Sequence, residues 1–244
     1  MQPPKQRTFR LACFSPPVML ATFAIETVLA IWVGFRFSSG VFRTIACLLL
    51  LCLASFQLAE YQVCVGPLSL ALTWGKLGLA GITVLPALGM HLIGTVTRRS
   101  GLITAGYVIA AVYIAAFLFL PGATGAPECN GNYVILQIQS GWFSFLYGTY
   151  YFVFIALAMA ELALRLTQRN PPPGFGFSRR LIGLTLAGYL SFTVPMAITG
   201  LLSPELQRAT PSIMCGFALS FAVILAVYVA PLYAREAAVL KRAA

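Results

Sequence analysis

TIACLLLLCLASFQLAEYQVC (44–64), VGPLS (65–69) and LALTWGKLGLAGITVLPALGMHLIGTVTRR (70–99) decide the fold. Two apolar runs, each long enough to cross a hydrocarbon layer of about 30 Å as a helix, meet at a short corner carrying Gly66 and Pro67. The first run carries Glu60 near its end, and the second carries Lys76 and the only histidine, His91. Charges are costly in hydrocarbon, so groups placed this way need a partner, a cavity or a task.

The rest of the chain repeats this pattern. Of 244 residues, 59% are hydrophobic and 9% charged, a composition that cannot close around a water-soluble core. Hydropathy and breakers predict seven transmembrane helices at about 17–35, 44–63, 68–96, 102–120, 141–164, 181–202 and 211–233. The expectation is an all-α bundle: one polytopic domain, 1–244, multi-pass in the cell membrane and bathed by membrane lipid. Pro86 and Pro195 sit inside the third and sixth helices and predict kinks there. The basic start before the first run invites reading it as a cleaved signal peptide. Glu26 interrupts that run and no small-x-small cleavage site follows, so it is read as a span.

Lys and Arg set the expected orientation. Eleven lie in connections on one side, in 36–43, 98–99, 165–180 and 235–242, and four on the other, in the N-terminal tail and at Arg208. The positive-inside rule places the N-terminus outside and the C-terminus in the cytoplasm, although the basic N-terminal tail itself opposes this. The net charge of +10 is therefore topological and implies no nucleic acid.

Several chemistries drop out at the level of composition. The chain contains no Asp, one His and six Glu. That removes Ser-His-Asp triads and two-Asp phosphoryl-transfer sites, and a lone His cannot supply a zinc site or bis-His haem. No cofactor and no metal is expected, and no catalytic set of nucleophile and base can be assembled.

What remains is a group of candidate binding residues. Glu60 lies about four residues, and Lys76 about eight, from the expected outer end, so their depths differ by roughly 6 Å, within reach of a lysine stem. Glu26 lies in the same outer half. Glu26, Glu60 and Lys76 are expected to share a cavity, as a ligand site, a proton-linked site or a charge pair that only locks helices together. Trp74 leads the third helix beside them. Phe143, Tyr147, Tyr150 and Phe154 recur at helical spacing and either line an apolar pocket, with Tyr147 and Tyr150 as contacts, or pack helices. Cys64 and Cys129 both fall on the expected exterior face and predict a disulfide tying the 121–139 connection over the bundle. Glu161 and Arg165 read as an i,i+4 ion pair, His91 as a hydrogen-bonding residue, and Ser212, Gly216 and Ser220 as a small-residue stripe for close helix contact.

Retinal proteins share the helix count, but the seventh span has no lysine for a Schiff base. LTWGKLGLAGITVLPALGMHLIGTVTRRS (72–100), with Trp74, Pro86 and Arg98 in an aromatic-led, proline-centred, basic-ended helix after an acidic-ended one, resembles the seven-helix N-terminal sensor region of some bacterial histidine kinases. The resemblance implies an outside N-terminus, a cytoplasmic C-terminus and a sensory role. No kinase follows residue 244, so it implies a module that signals through a separate partner. The leading expectation is a receptor-like or sensory membrane protein. It binds a small ligand in an outer-half cavity and passes helix shifts to a protein partner through the basic loop 165–180. A small-solute or ion transporter or channel, and a non-catalytic accessory subunit, are the alternatives.

Overall fold

The computed structural model describes residues 15–37, 40–98, 101–130, 133–138, 141–168, 177–202 and 209–243. Lys5, Arg7, Arg10, Cys13, Arg99, Arg208 and residues 169–176 of the basic loop, including Arg169, lie outside the described residues.

The expected spans are helices whose ends shift by a few residues, apart from the last, which runs on further. α1 is Pro16–Arg36 and α2 Val41–Val65; a 3-10 turn, Leu68–Leu70, leads into α3, Ala71–Thr83, and α4, Leu85–Thr97. α5 is Ile103–Phe119, α6 Trp142–Thr167 and α7 Arg179–Leu202. α8, Thr210–Val223, continues through a π-helical turn, Ile224–Val229, into α9, Ala230–Ala243. Among the described residues six rods are long and apolar enough to cross a membrane: α1, α2, Leu68–Thr97, α6, α7 and Thr210–Arg242. α5 has 17 residues, about 26 Å of helix, a little less than a hydrocarbon core. The chain is a multi-pass, all-helical membrane bundle.

Local chemistry starts and stops these rods. Pro16 and Pro17 open α1 where no amide donor is needed, and Val18 and Met19 donate to the Ser15 carbonyl. α7 begins where the Leu181 amide donates to Ser178 Oγ, and Ser178 is itself clasped by the Glu236 carboxylate of α9. α4 ends at Arg98 in the left-handed region, φ 56°, where glycine is usual. The Arg98 guanidinium lies 5.8 Å from the Phe177 ring centroid, a contact glycine could not make.

α2 is the central rod, packing against α1, α3, α4 and α8 and burying Leu49, Leu50, Leu53 and Phe56. The α6–α7–α8 series closes the bundle back onto α1. Outward faces stay apolar: Val28, Ile31, Phe35, Val108, Val112 and Leu201 are exposed, as lipid contact requires.

The kink expected at Pro86 takes the form of a break at Val84, which divides the third span into α3 and α4. The last span does not end at 233 but stays helical to Ala243. Tyr233, Ala237 and Leu240 keep packing on the core at helical spacing, while Arg235, Lys241 and Arg242 turn away.

Candidate functional site

The connection after α5 forms a small antiparallel ladder, β1 (Glu128–Cys129) with β2 (Val134–Ile135), in which Cys129 faces Val134. Cys64, in the last turn of α2, is bonded to Cys129 with a Cα–Cα distance of 5.3 Å. The expected disulfide therefore ties this hairpin across the end of the bundle. Beneath the hairpin lies a cavity of about 570 Å³, walled by Leu136 and Gln137 of the connection, Tyr147 and Tyr151 of α6, and Pro211 and Met214 of α8. Among the described residues Glu128 is the charged side chain on its lining, and its Oε1 accepts from Gln137 Nε2 at 2.7 Å. The described lining is thus chiefly aliphatic and aromatic, with Gln137 its one amide and negative charge at one point.

Of the aromatic stripe, Tyr147 reaches this cavity and its neighbours do not. Tyr113 and Phe117 of α5 pack edge-on against Tyr147, at 5.2 and 5.1 Å between centroids, and Phe143 completes the group. The stripe is chiefly an α5–α6 contact. Its two tyrosines converge on the break in the third span: Tyr147 Oη lies 3.1 Å from Thr83 Oγ1, and Tyr150 Oη donates to the Thr83 carbonyl at 2.9 Å. The same Tyr150 hydroxyl meets the Ala87 amide. In an unbroken helix that amide would bond the Thr83 carbonyl directly, so the phenol is inserted into the ladder one turn around Pro86. Tyr150 is therefore a splint for the break.

Glu26 and Glu60 come together, from α1 and α2, near Cys215 of α8. Both are buried, at 0% and 2% exposure. Among the described residues neither Glu26 oxygen has a hydrogen-bond partner, nor has Glu60 Oε1; the Ser212 hydroxyl bonds Glu60. Ser212 Oγ in turn accepts from the Val134 amide of the hairpin at 3.3 Å.

Lys76 corrects the expected trio. It turns to the opposite side of α3, where its Nζ lies 3.5 Å from the Leu118 carbonyl at the end of α5, and it forms no ion pair with Glu26 or Glu60. Similar depth did not bring the groups together, because α8 occupies the space beside Glu60. Trp74 is half-buried on the same helix and, among the described residues, makes no ring contact with Tyr147 or Tyr150. Arg165 and Glu161 pair at 3.0 Å, and His91 Nδ1 meets Tyr107 Oη at 3.0 Å. The small-residue stripe divides: Ser212 serves Glu60, while Ser220 Oγ meets Ser191 Oγ of α7 at 2.9 Å. Eight residues rotate a helix by about 80°, enough to face a different neighbour.

Sequence reasoning did not single out Ser212 as a partner of Glu60, nor Glu128, Gln137 and Thr83. A signal existed for Gln57, which precedes Glu60 by three residues on one helix face and is 3% exposed. No family model matches the chain, and no curated protein matches it.

Proposed function

We propose that this chain is a receptor-like membrane protein that takes a small amphipathic ligand, neutral or cationic, into the cavity beneath the disulfide-tied hairpin. In this reading it crosses the membrane seven times, with the hairpin end outside and the basic end in the cytoplasm. The observation that carries it is the 570 Å³ cavity at the hairpin end, a size suited to a small molecule, whose lining among the described residues holds Glu128 and no Lys or Arg. Tyr147 links that space to the α3–α4 break through Thr83. A ligand pressing on Tyr147 would bias the break, and α4 would carry the shift to Arg98 and the basic end. A separate protein partner reads it there, as the resemblance to histidine-kinase sensor regions implies. No chemical step is assigned.

The test uses alkyltrimethylammonium amphiphiles of graded chain length as probes and the thermal midpoint of the purified chain as readout. Gly148 lines the cavity, and a Cβ built on it meets nothing within 4 Å, so Gly148→Phe offers a side chain to occupy the space. The expected result is a saturable rise in midpoint that Gly148→Phe abolishes. An equal rise in both proteins would place binding elsewhere and end this reading. A transporter is the second reading, favoured by the enclosed carboxylates; flux into proteoliposomes that Glu26→Gln abolishes would establish it in place of a receptor.

A further inference from the structure

Between α1, α2 and α8 the bundle encloses two carboxylates that the hairpin cavity does not use. Glu26 is fully buried with both oxygens unbonded, and Glu60 has one oxygen unbonded and the other held by Ser212. They lie close enough to repel one another. Gln57, one turn before Glu60, is also buried with its amide nitrogen unbonded. Two like charges in a low-dielectric interior need compensating positive charge.

Among the described residues the surrounding elements supply none. From α8 the neighbouring titratable group is Cys215. From α3, Lys76 is turned to the Leu118 carbonyl, and from α4, His91 is engaged by Tyr107. Arg43 of α2 sits at the opposite end of the rod, donating to the Gly34 and Phe37 carbonyls, and Glu128 of the hairpin adds only negative charge. Packing alone would be better served by apolar residues of the same volume.

We infer that Glu26 and Glu60 form a binding site for an exchangeable monovalent cation, an alkali ion or a proton. Two carboxylates and a serine hydroxyl offer too few oxygens for calcium, which takes six to eight. Among the described residues no group of three or more His, Cys, Asp and Glu side chains could hold a metal ion. Entry runs along Ser212, which bonds Glu60 on one side and the hairpin's Val134 amide on the other. Its neighbours Pro211 and Met214 wall the outer cavity. Occupancy would thus pull on the hairpin through Ser212, whatever ligand the cavity takes.

The experiment uses the full chain in detergent, titrated with NaCl against choline chloride at constant ionic strength and at two pH values. Thermal midpoint and the infrared carboxyl band are read together. A saturable sodium-dependent rise in midpoint, weakened at the lower pH and lost in Glu26→Gln and in Glu60→Gln, identifies an alkali-ion site. No sodium effect, with a protonated-carboxyl band that titrates and is lost in both variants, identifies the proton as occupant. A wild-type measurement covers the case in which the variants do not fold. A hydrophobic carbodiimide should label Glu26 or Glu60, as mapped by peptide mass spectrometry, and sodium or higher pH should suppress the labelling. A midpoint equally indifferent to sodium and pH in all proteins, together with no carbodiimide labelling at either glutamate, overturns the inference.

Discussion

Tyr150 shows how one hydroxyl decides a local structure. Proline at 86 has no amide to offer the Ile82 carbonyl, and the Tyr150 phenol enters the opened ladder to bond the Thr83 carbonyl. Tyr150→Phe keeps the ring contacts to Tyr113 and Phe154 and removes the hydroxyl's bonds to the Thr83 carbonyl and the Ala87 amide. It should cost about 1 kcal/mol, more if the carbonyl is left dry, seen as a lower midpoint in detergent unfolding. Gly106 is the second such position. A Cβ there would stand 2.7 Å from the Phe154 ring and 3.3 Å from Ala87, so Gly106→Ala should destabilise by about 1–3 kcal/mol through overpacking of α5 on α4 and α6. A variant as stable as the parent would show that this contact is loose. Tyr150 was legible as part of an aromatic stripe, but its partner was not. Spacing reports which residues share a helix face, whereas the Thr83 carbonyl became available only when the third span broke.

At the scale of elements, the break and the strap are the two devices. Because Tyr150 and Pro86 act on the same turn, their effects should not add. In a double-mutant cycle, Pro86→Ala with Tyr150→Phe should show a coupling above about 0.5 kcal/mol, and strict additivity would mean that the phenol does not splint the turn. The strap joins residues 65 apart in sequence, Cys64 and Cys129. Cys129→Ser should lower stability by about 2–4 kcal/mol in the chain-entropy view, with loss of the mobility difference between reduced and oxidised protein on a denaturing gel. It should also loosen β1 from the end of α2 and weaken amphiphile binding beneath the hairpin. This pairing was readable early, since both cysteines fall at the same expected face of the bundle, Cys64 at the end of α2 and Cys129 in the connection after α5. The length of the last rod was not, because its final turns trade hydropathy for amphipathic packing of Ala237 and Leu240.

The whole molecule is asymmetric end to end. Among the described residues Arg36, Arg43, Arg98, Arg180 and Lys241 gather at one end, and Glu128 marks the other. Under the proposed orientation a Lys241→Cys variant should react with a membrane-impermeant maleimide in inverted vesicles and not in intact cells; the reverse pattern would turn the bundle over. The sequence by itself determined the multi-pass helical character and the order of the apolar rods, the Cys64–Cys129 bond and the Glu161–Arg165 pair. These depend on hydropathy along the chain, on which end a residue lies at and on spacing within one helix. Only the tertiary structure decided that Glu60 faces Glu26 and Ser212 while Lys76 faces Leu118. Depth in the membrane follows from counting residues, but the rotation of each rod about its axis, about 100° per residue, is set by which neighbour packs against it. Here α8, fitted between α1 and α2, turned the carboxylates inward and left the lysine outside their reach.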